Sequence, residues 1–464
     1  VQFLQRRQRD DTGRVFVWDG RVFRAILPEK EDHVRRMFSS GFLDRLVAEG
    51  CFPRTWISDV QLEGYPLVLE HAAIWPVTYP QDWTFSMLKQ AALVVCRTAR
   101  IAKQFGYNMR DCHGLNVLFD GSQPKFIDLG SFVPDESLGW RPYDEFLRFY
   151  DYPLHLWQYN SFVGKLSIFS GNLVRHEDYW RSQHPVLRRA RSGIVERLIG
   201  WSLKAASVAV TPAARVGQLP RTNRVLHQLM TRGLLKTEAV DLTRLERRIS
   251  RLEQRRAHSA WGTYHEGDSD KATRFNRIVE IVNGLGGGVR TAVDFGGNQG
   301  KFSRLLVDQA GFERVVCVDA DENAIDAGYR SSLARRDGAV SFVHYDCMGG
   351  IAKLRFQLPE ERLRADLVVA LALTHHLLLA QGYDVDFVLE TLSAYATQYV
   401  AVEFMPLGLW VKGQTARTPP WYTRDWFRES FSKHFEPVVE EELRENNVLF
   451  VGRVRRTPSG ASGR

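Results

Sequence analysis

Between residues 261 and 456 the chain alternates short apolar runs with longer segments whose apolar residues recur every three or four positions. The runs 291–295, 314–318, 340–344, 367–371, 399–404 and 448–454 predict strands, and helices fit between them, beginning with 271–283. Strand and helix in turn is the rhythm of an α/β domain, a mostly parallel sheet covered by helices. Residues 1–170 read differently. Strand-like runs at 15–18 and 65–69 precede a long helical run, 86–105, which predicts a mixed α+β domain. Between the two, Leu242, Leu245, Ile249 and Leu252 are spaced three, four and three apart with arginines among them, the stripe of a helix packed on a neighbouring domain. The run 199–210 is apolar but broken by Lys204, and Pro212 and Pro220 interrupt the chain after it. The expected division is a domain over 1–170, a basic helical linker over 171–260, a domain over 261–456 and a disordered tail over 457–464.

Composition supports this division and narrows the setting. At 464 residues, with 44% hydrophobic and 25% charged residues, the chain is long enough for two or more cores and is neither fibrous nor wholly disordered. Five scattered cysteines without a CxxC pair indicate neither a disulfide framework nor a zinc site, which fits a reducing cytoplasm. No stretch approaches the roughly 18–20 apolar residues of a membrane span, and the opening VQFLQRRQRDD lacks an apolar signal core, so a soluble chain is expected. The net charge of +8 is concentrated: residues 171–260 hold 18 Lys or Arg against 7 Asp or Glu. Such a stretch has two readings, peripheral contact with an acidic membrane face, the inner face for a cytoplasmic protein, or helices packed on their own protein. Nucleic acid is disfavoured, because the arginines interleave with leucines at helical spacing and no recognised RNA or DNA motif accompanies them.

The sharpest chemical signal is TAVDFGGNQGKFSRLL. A strand ends at Asp294, a turn carries Gly296, Gly297 and Gly300, and a helix starts near Lys301. Glycine lets a ligand approach bare backbone at such a turn. Nineteen residues after Gly300, Asp319 ends a second strand, where a carboxylate can take both hydroxyls of a ribose. A third strand ends in Asp346. In an open parallel sheet these three acids converge beyond the carboxyl ends of the strands, which predicts a cofactor site.

With these motifs, 261–456 resembles the class I S-adenosylmethionine-dependent methyltransferases, which have a Rossmann-like fold. The resemblance implies that DFGGNQG is the first cofactor motif, with Gly296 and Gly300 facing the methionine and ribose portion and Phe295, Gly297 and Asn298 shaping the same pocket. It further implies that Asp319 binds the ribose and Asp346 the adenine amino group. An acid before the glycines and another at the third strand separate the pattern from the GxGxxG of nicotinamide enzymes. The fourth strand ends in Thr374, His375 and His376, beside the transferable methyl in this fold, where a histidine can act as general base or line the pocket. Glu403, at the end of the fifth strand, is a candidate to orient a substrate hydroxyl or a histidine. The segment after it carries Trp410, Trp421, Tyr422 and Trp426, which form either a substrate lid or a packed helix.

A second motif lies in the first domain, in MRDCHGLNVLFDGSQPKFIDLGSF. Asp111 and Asn116 are five apart, two strand-like runs flank a turn at Asp120 and Gly121, and Asp128-Leu129-Gly130 follows. This resembles the catalytic and metal-binding loops of kinases over residues 14–170. The resemblance implies Asp111 as the acceptor of a hydroxyl proton, and Asn116 and Asp128 as magnesium ligands in the presence of ATP. No glycine-rich loop precedes these strands, and Arg24 stands where a kinase carries its lysine. The order of parts resembles bacterial fusions of a truncated kinase-like domain with a methyltransferase, some associated with nodulation or cell-surface polysaccharide. The expectation is O-methylation of a glycan or small molecule. The alternatives are an enzyme that phosphorylates and then methylates a cell-surface polysaccharide, and a membrane-associated scaffold with a pseudokinase platform.

Overall fold

The computed structural model describes residues 2–3, 11–136, 139–169, 173–183, 240–254, 269–286, 288–349, 357–410 and 417–455. The apolar run 199–210, Pro212, Pro220, most of the basic stretch and the tail 457–464 lie outside them. The chain forms two compact units. The first comprises 1–73, 88–117 and 125–255; the second comprises 74–87, 118–124 and 256–464.

In the first unit, strands β1 (Gln2–Phe3), β2 (Gly13–Trp18), β3 (Arg21–Ile26), β4 (Thr55–Ile57) and β5 (Leu67–His71) form an antiparallel sheet ordered β1-β2-β3-β5-β4. Asp19 and Gly20, with φ of 49° and 69°, make the two-residue turn between β2 and β3. Two positive φ values match the right-handed twist of a hairpin. The long helix Phe85–Gln104 replaces the expected 86–105. After it come β6 (Tyr107–Met109) and β9 (Phe132–Pro134), which pair with each other; the hairpin of β7 (Val117–Asp120) and β8 (Gln123–Phe126), between them in the chain, falls largely within 118–124, a stretch of the second unit.

The helix Leu242–Ser250 bears out the leucine stripe, and Leu242, Leu245, Ile249 and Leu252 are all buried. Asp241 caps it by accepting from the Arg244 amide at 2.9 Å. Its partners belong to the same unit: Arg248 reaches Asp151 at 2.7 Å, and Lys89 donates to the Leu252 carbonyl at 3.0 Å. The helix therefore packs, as its stripe predicts, on the neighbouring domain expected over 1–170, and the two share one compact unit.

The second unit is a seven-stranded sheet of β10 (Thr291–Phe295), β11 (Arg314–Asp319), β12 (Val340–His344), β13 (Ala365–Ala370), β14 (Ala396–Phe404), β15 (Phe435–Arg444) and β16 (Asn447–Val454). Its order is β12-β11-β10-β13-β14-β16-β15; the first five strands are parallel, β16 pairs antiparallel with β14, and β15 antiparallel with β16. Alternation along the strands feeds two cores: Val293, Phe295, Val316 and Val368 on one face, Ala292, Val315, Leu367 and Val369 on the other. The chain runs outward from β10 through β11 to β12 and then returns to β13 on the other side, so the strand order reverses beside β10. Ligand crevices of doubly wound sheets open at that reversal, beyond the carboxyl ends of the strands.

Candidate functional site

At the end of β10 the Gly296 and Gly297 amides both donate to the Val318 carbonyl, at 2.9 and 3.1 Å, folding the turn back over β11. Gly296 has a φ of 71°. A Cβ on Gly297 would lie 2.7 Å from Cys317 Sγ and 2.9 Å from Asp294 Oδ2, so only glycine fits there. Asn298 takes a φ of 52°, which asparagine tolerates better than most residues. Gly300, at 74°, opens the helix Lys301–Ala310 and packs against the Phe342 ring. It supports the turn from behind and does not line the cavity.

The turn borders a cavity of about 450 Å³, a size suited to a small-molecule ligand. Asp294, Phe295, Gly296, Gly297, Asn298, Asp319 and Asp346 all line it, bringing together seven of the eight expected cofactor residues. Asp319 Oδ2 accepts from the Asn298 amide at 2.9 Å, and its Oδ1 from the Asp321 amide at 2.8 Å. These bonds leave part of the carboxylate's acceptor capacity, about four directions in all, unused. Burial raises the Asp319 carboxyl above its usual range, and those backbone amides pull it down again. Asp346 Oδ1 accepts from the Met348 amide at 3.0 Å. Asp294 is 2% exposed and accepts from Ser303 Oγ at 2.7 Å. Burial, aided by the nearby Asp319 charge, pushes it up to about 7 while the Ser303 bonds oppose the rise.

The opposite wall comes from the loop after β13 and from the helix Ser269–Asn283, through Leu371, Ala372, Leu373, His376, Arg274 and Phe275. His376 reaches the cavity, whereas His375 is 6% exposed and lies outside its lining. The two rings are 4.1 Å apart between centroids. Burial lowers both histidines, His375 to about 3 with help from its neighbour, so both are neutral at pH 7.

Glu403 is fully buried and does not line the cavity, which corrects the expectation that it meets a substrate hydroxyl. Its Oε2 accepts from the Ala372 amide at 2.8 Å and from Arg274 Nη1 at 3.2 Å. Thr374 Oγ1 donates to the Glu403 carbonyl at 2.7 Å. Ala372 has a φ of 49°, an uncommon value for alanine. Glu403 thus holds the loop that carries His376. Arg274 was missed by sequence reasoning, since an arginine inside an amphipathic helix reads as surface.

The aromatic residues after β14 do not form a lid over this cavity, because none of Trp410, Trp421, Tyr422 and Trp426 lines it. Tyr422 is buried against Phe404, with centroids 4.9 Å apart, and Trp421 meets Trp426 edge-on at 4.9 Å.

In the first unit Asn116 Nδ2 donates to Asp111 Oδ1 at 2.7 Å, and the Ile127 amide donates to the Asn116 carbonyl at 2.9 Å. Asp128 Oδ1 accepts from the Gly130 amide at 3.0 Å and lies 3.8 Å from the buried Arg24 guanidinium. Arg24 thereby supplies Asp128 with a positive charge. Among the described residues no cluster of three or more His, Cys, Asp or Glu side chains is arranged to hold a metal ion. Nor, among them, is any helix long and apolar enough to cross a membrane.

No family model matches the chain. Nodulation protein NoeA of Rhizobium meliloti (strain 1021) is 25% identical over 474 residues, spanning 97% of this chain and 94% of that protein. Solved structures that match include methyltransferases. One is the N-methyltransferase NodS from Bradyrhizobium japonicum WM9, 12% identical over 41% of this chain and 99% of its own, with a TM-score of 0.30. Another is magnesium protoporphyrin IX methyltransferase from Synechocystis PCC 6803 with bound SAM, 14% identical over 42% and 89%, with a TM-score of 0.30.

Proposed function

We propose that the second unit binds S-adenosylmethionine and methylates an oxygen of a glycan or small-molecule acceptor. The observation that carries this reading is the position of Asp319. It is fixed by two backbone amides beside the glycine turn, with lone pairs left for a ribose diol in a cavity of about 450 Å³. Asp346 would meet the adenine amino group, and the bare backbone of Gly296 and Gly297 would allow the methionine portion to approach. When bound, the cofactor supplies an electrophilic methyl group. The chain's own part is to orient it, to exclude water and to move one proton. Neutral His376, on the cavity wall, is the group suited to accept the proton of an attacking hydroxyl. Calorimetric titration with S-adenosylmethionine, S-adenosylhomocysteine and NAD tests the reading, which requires both sulfur ligands to bind and NAD not to.

For the first unit we infer a binding platform in preference to an active kinase. The observation that favours it is the Arg24–Asp128 approach of 3.8 Å, since a cation beside the acid that would hold magnesium competes with the metal. Phosphorylation of the acceptor before its methylation is the alternative. The near full-length similarity to NoeA supports reading both units as parts of one working polypeptide.

A further inference from the structure

The first unit's sheet carries a second concavity, of about 510 Å³, that the methyl-transfer reading does not use. Trp18 pairs with Arg21, Phe23 with Glu70 and Glu70 with Trp56 across neighbouring antiparallel strands. Directly opposed residues share a face, as do residues two apart, so Trp18, Arg21, Glu70 and Trp56 project from the same side. Phe16, Phe23, Ala25 and Val68 fill one end of that face beneath Val60, Leu62 and Tyr65. The other end is open, with Trp18 at 49% and Trp56 at 38% exposure on its walls.

The floor is a forked ion pair. Arg21 Nε donates to Glu70 Oε1 at 2.8 Å and Arg21 Nη2 to Glu70 Oε2, and Glu70 is only 6% exposed. Both indoles are set in place before any ligand arrives. Trp18 packs on Phe23 at 6.2 Å between centroids, and the Arg54 guanidinium lies 5.7 Å over the Trp56 ring. Asp59 and Gln61 add a carboxylate and an amide to the lining.

We propose that this cleft binds an uncharged sugar chain. Indole faces suit the C–H faces of pyranose rings, and the paired floor with Asp59 and Gln61 offers acceptors and donors to hydroxyl groups. Arg21 and Glu70 neutralise each other, so the floor does not select phosphate or carboxylate. A proline-rich peptide would need an apolar floor between its aromatic walls, and here the floor is an ion pair. The proposal stands or falls apart from methyl transfer, because every residue of the cleft belongs to the first unit's own sheet and the loop beside it.

The test is titration of the full chain, by tryptophan fluorescence and calorimetry, with hexamers of α-1,4-glucose, β-1,4-glucose, mannose and β-1,4-N-acetylglucosamine. At least one should saturate at roughly 0.1–1 mM, the weak range expected for a shallow solvated site. Trp18→Ala and Trp56→Ala should each weaken it about tenfold, while Trp56→Phe, which keeps a ring, retains most of the affinity. Both indoles are half exposed, so the unfolding midpoint should not move; if it does, the Phe variants carry the test. Lack of binding by every hexamer at about 10 mM overturns the proposal. So does affinity indifferent to both Trp18 and Trp56, or a proline-rich peptide binding there in place of sugars.

Discussion

The Glu403 carboxylate accepts a hydrogen bond from the Ala372 amide at 2.8 Å, tying the end of β14 to the strained loop that bears His376. The same oxygen meets Arg274, so one buried acid joins a cavity-wall loop to a cavity-wall cation. Burial raises the Glu403 carboxyl and the Arg274 charge opposes that rise.

Glu403→Ala should therefore destabilise the second unit by about 3–5 kcal/mol, because it leaves the Arg274 charge buried without this partner. Glu403→Gln loses the charge but keeps an oxygen for the Ala372 amide. Urea denaturation should rank wild type above Gln, and Gln above Ala; equal stability of all three would deny the strut.

Asp294 gives a pH signature. Its folded value of about 7 exceeds the ordinary 3.8, so the folded chain holds this proton more tightly than the unfolded chain. Its contribution to stability is full below about pH 4 and is lost as pH rises through about 7, by up to roughly 4 kcal/mol. Asp294→Asn should remove that part of the pH dependence in denaturation curves. In the same cavity a cationic ligand favours the ionised acid. Preference for S-adenosylmethionine over S-adenosylhomocysteine, which lacks the sulfonium charge, should then rise with pH through neutrality in the wild type and stay flat in the Asn variant.

His376→Ala should lower turnover about 100-fold with the acceptor supplied, while cofactor affinity stays nearly constant. Burial holds His376 below its ordinary value, so the rate should be level through neutral pH and fall only on the acid side, as the ring gains a proton. Equal losses of rate and cofactor affinity would make it a wall residue instead.

Asp128→Asn should leave methyl transfer to a directly supplied acceptor unchanged, and magnesium-dependent ATP turnover by the wild type should be weak or absent. Robust phosphorylation of that acceptor, abolished by Asp111→Asn, would replace the platform reading with a two-step enzyme.

Six strands of the second sheet were legible because each is a short apolar run standing between helical patterns. The seventh, Phe435–Arg444, was not, since its sequence FEPVVEEELR is dominated by glutamates of low strand propensity. Those acids serve an edge strand: Glu440 pairs with Arg424 and Arg428, and Glu441 with Arg277. Asp294, Asp319 and Asp346, which line the cavity, were legible because each lies at or within two residues of the end of a strand that sequence alone defines. Arg274 and the buried role of Glu403 were not, because their partners lie 129 residues apart and only the folded sheet joins them. In the first unit the spacing of Asp111, Asn116 and Asp128 was readable, while the 3.8 Å approach of Arg24 to Asp128 required the structure.

The central claim is that Asp319 and the glycine turn form an S-adenosylmethionine site, and calorimetry on wild type and Asp319→Ala tests it most directly. The wild type should bind S-adenosylmethionine and S-adenosylhomocysteine with micromolar affinity, about −8 kcal/mol, and the variant should lose about 1.5–3 kcal/mol with both. Binding of NAD with no response to either sulfur ligand, or affinity unchanged by the substitution, would contradict it.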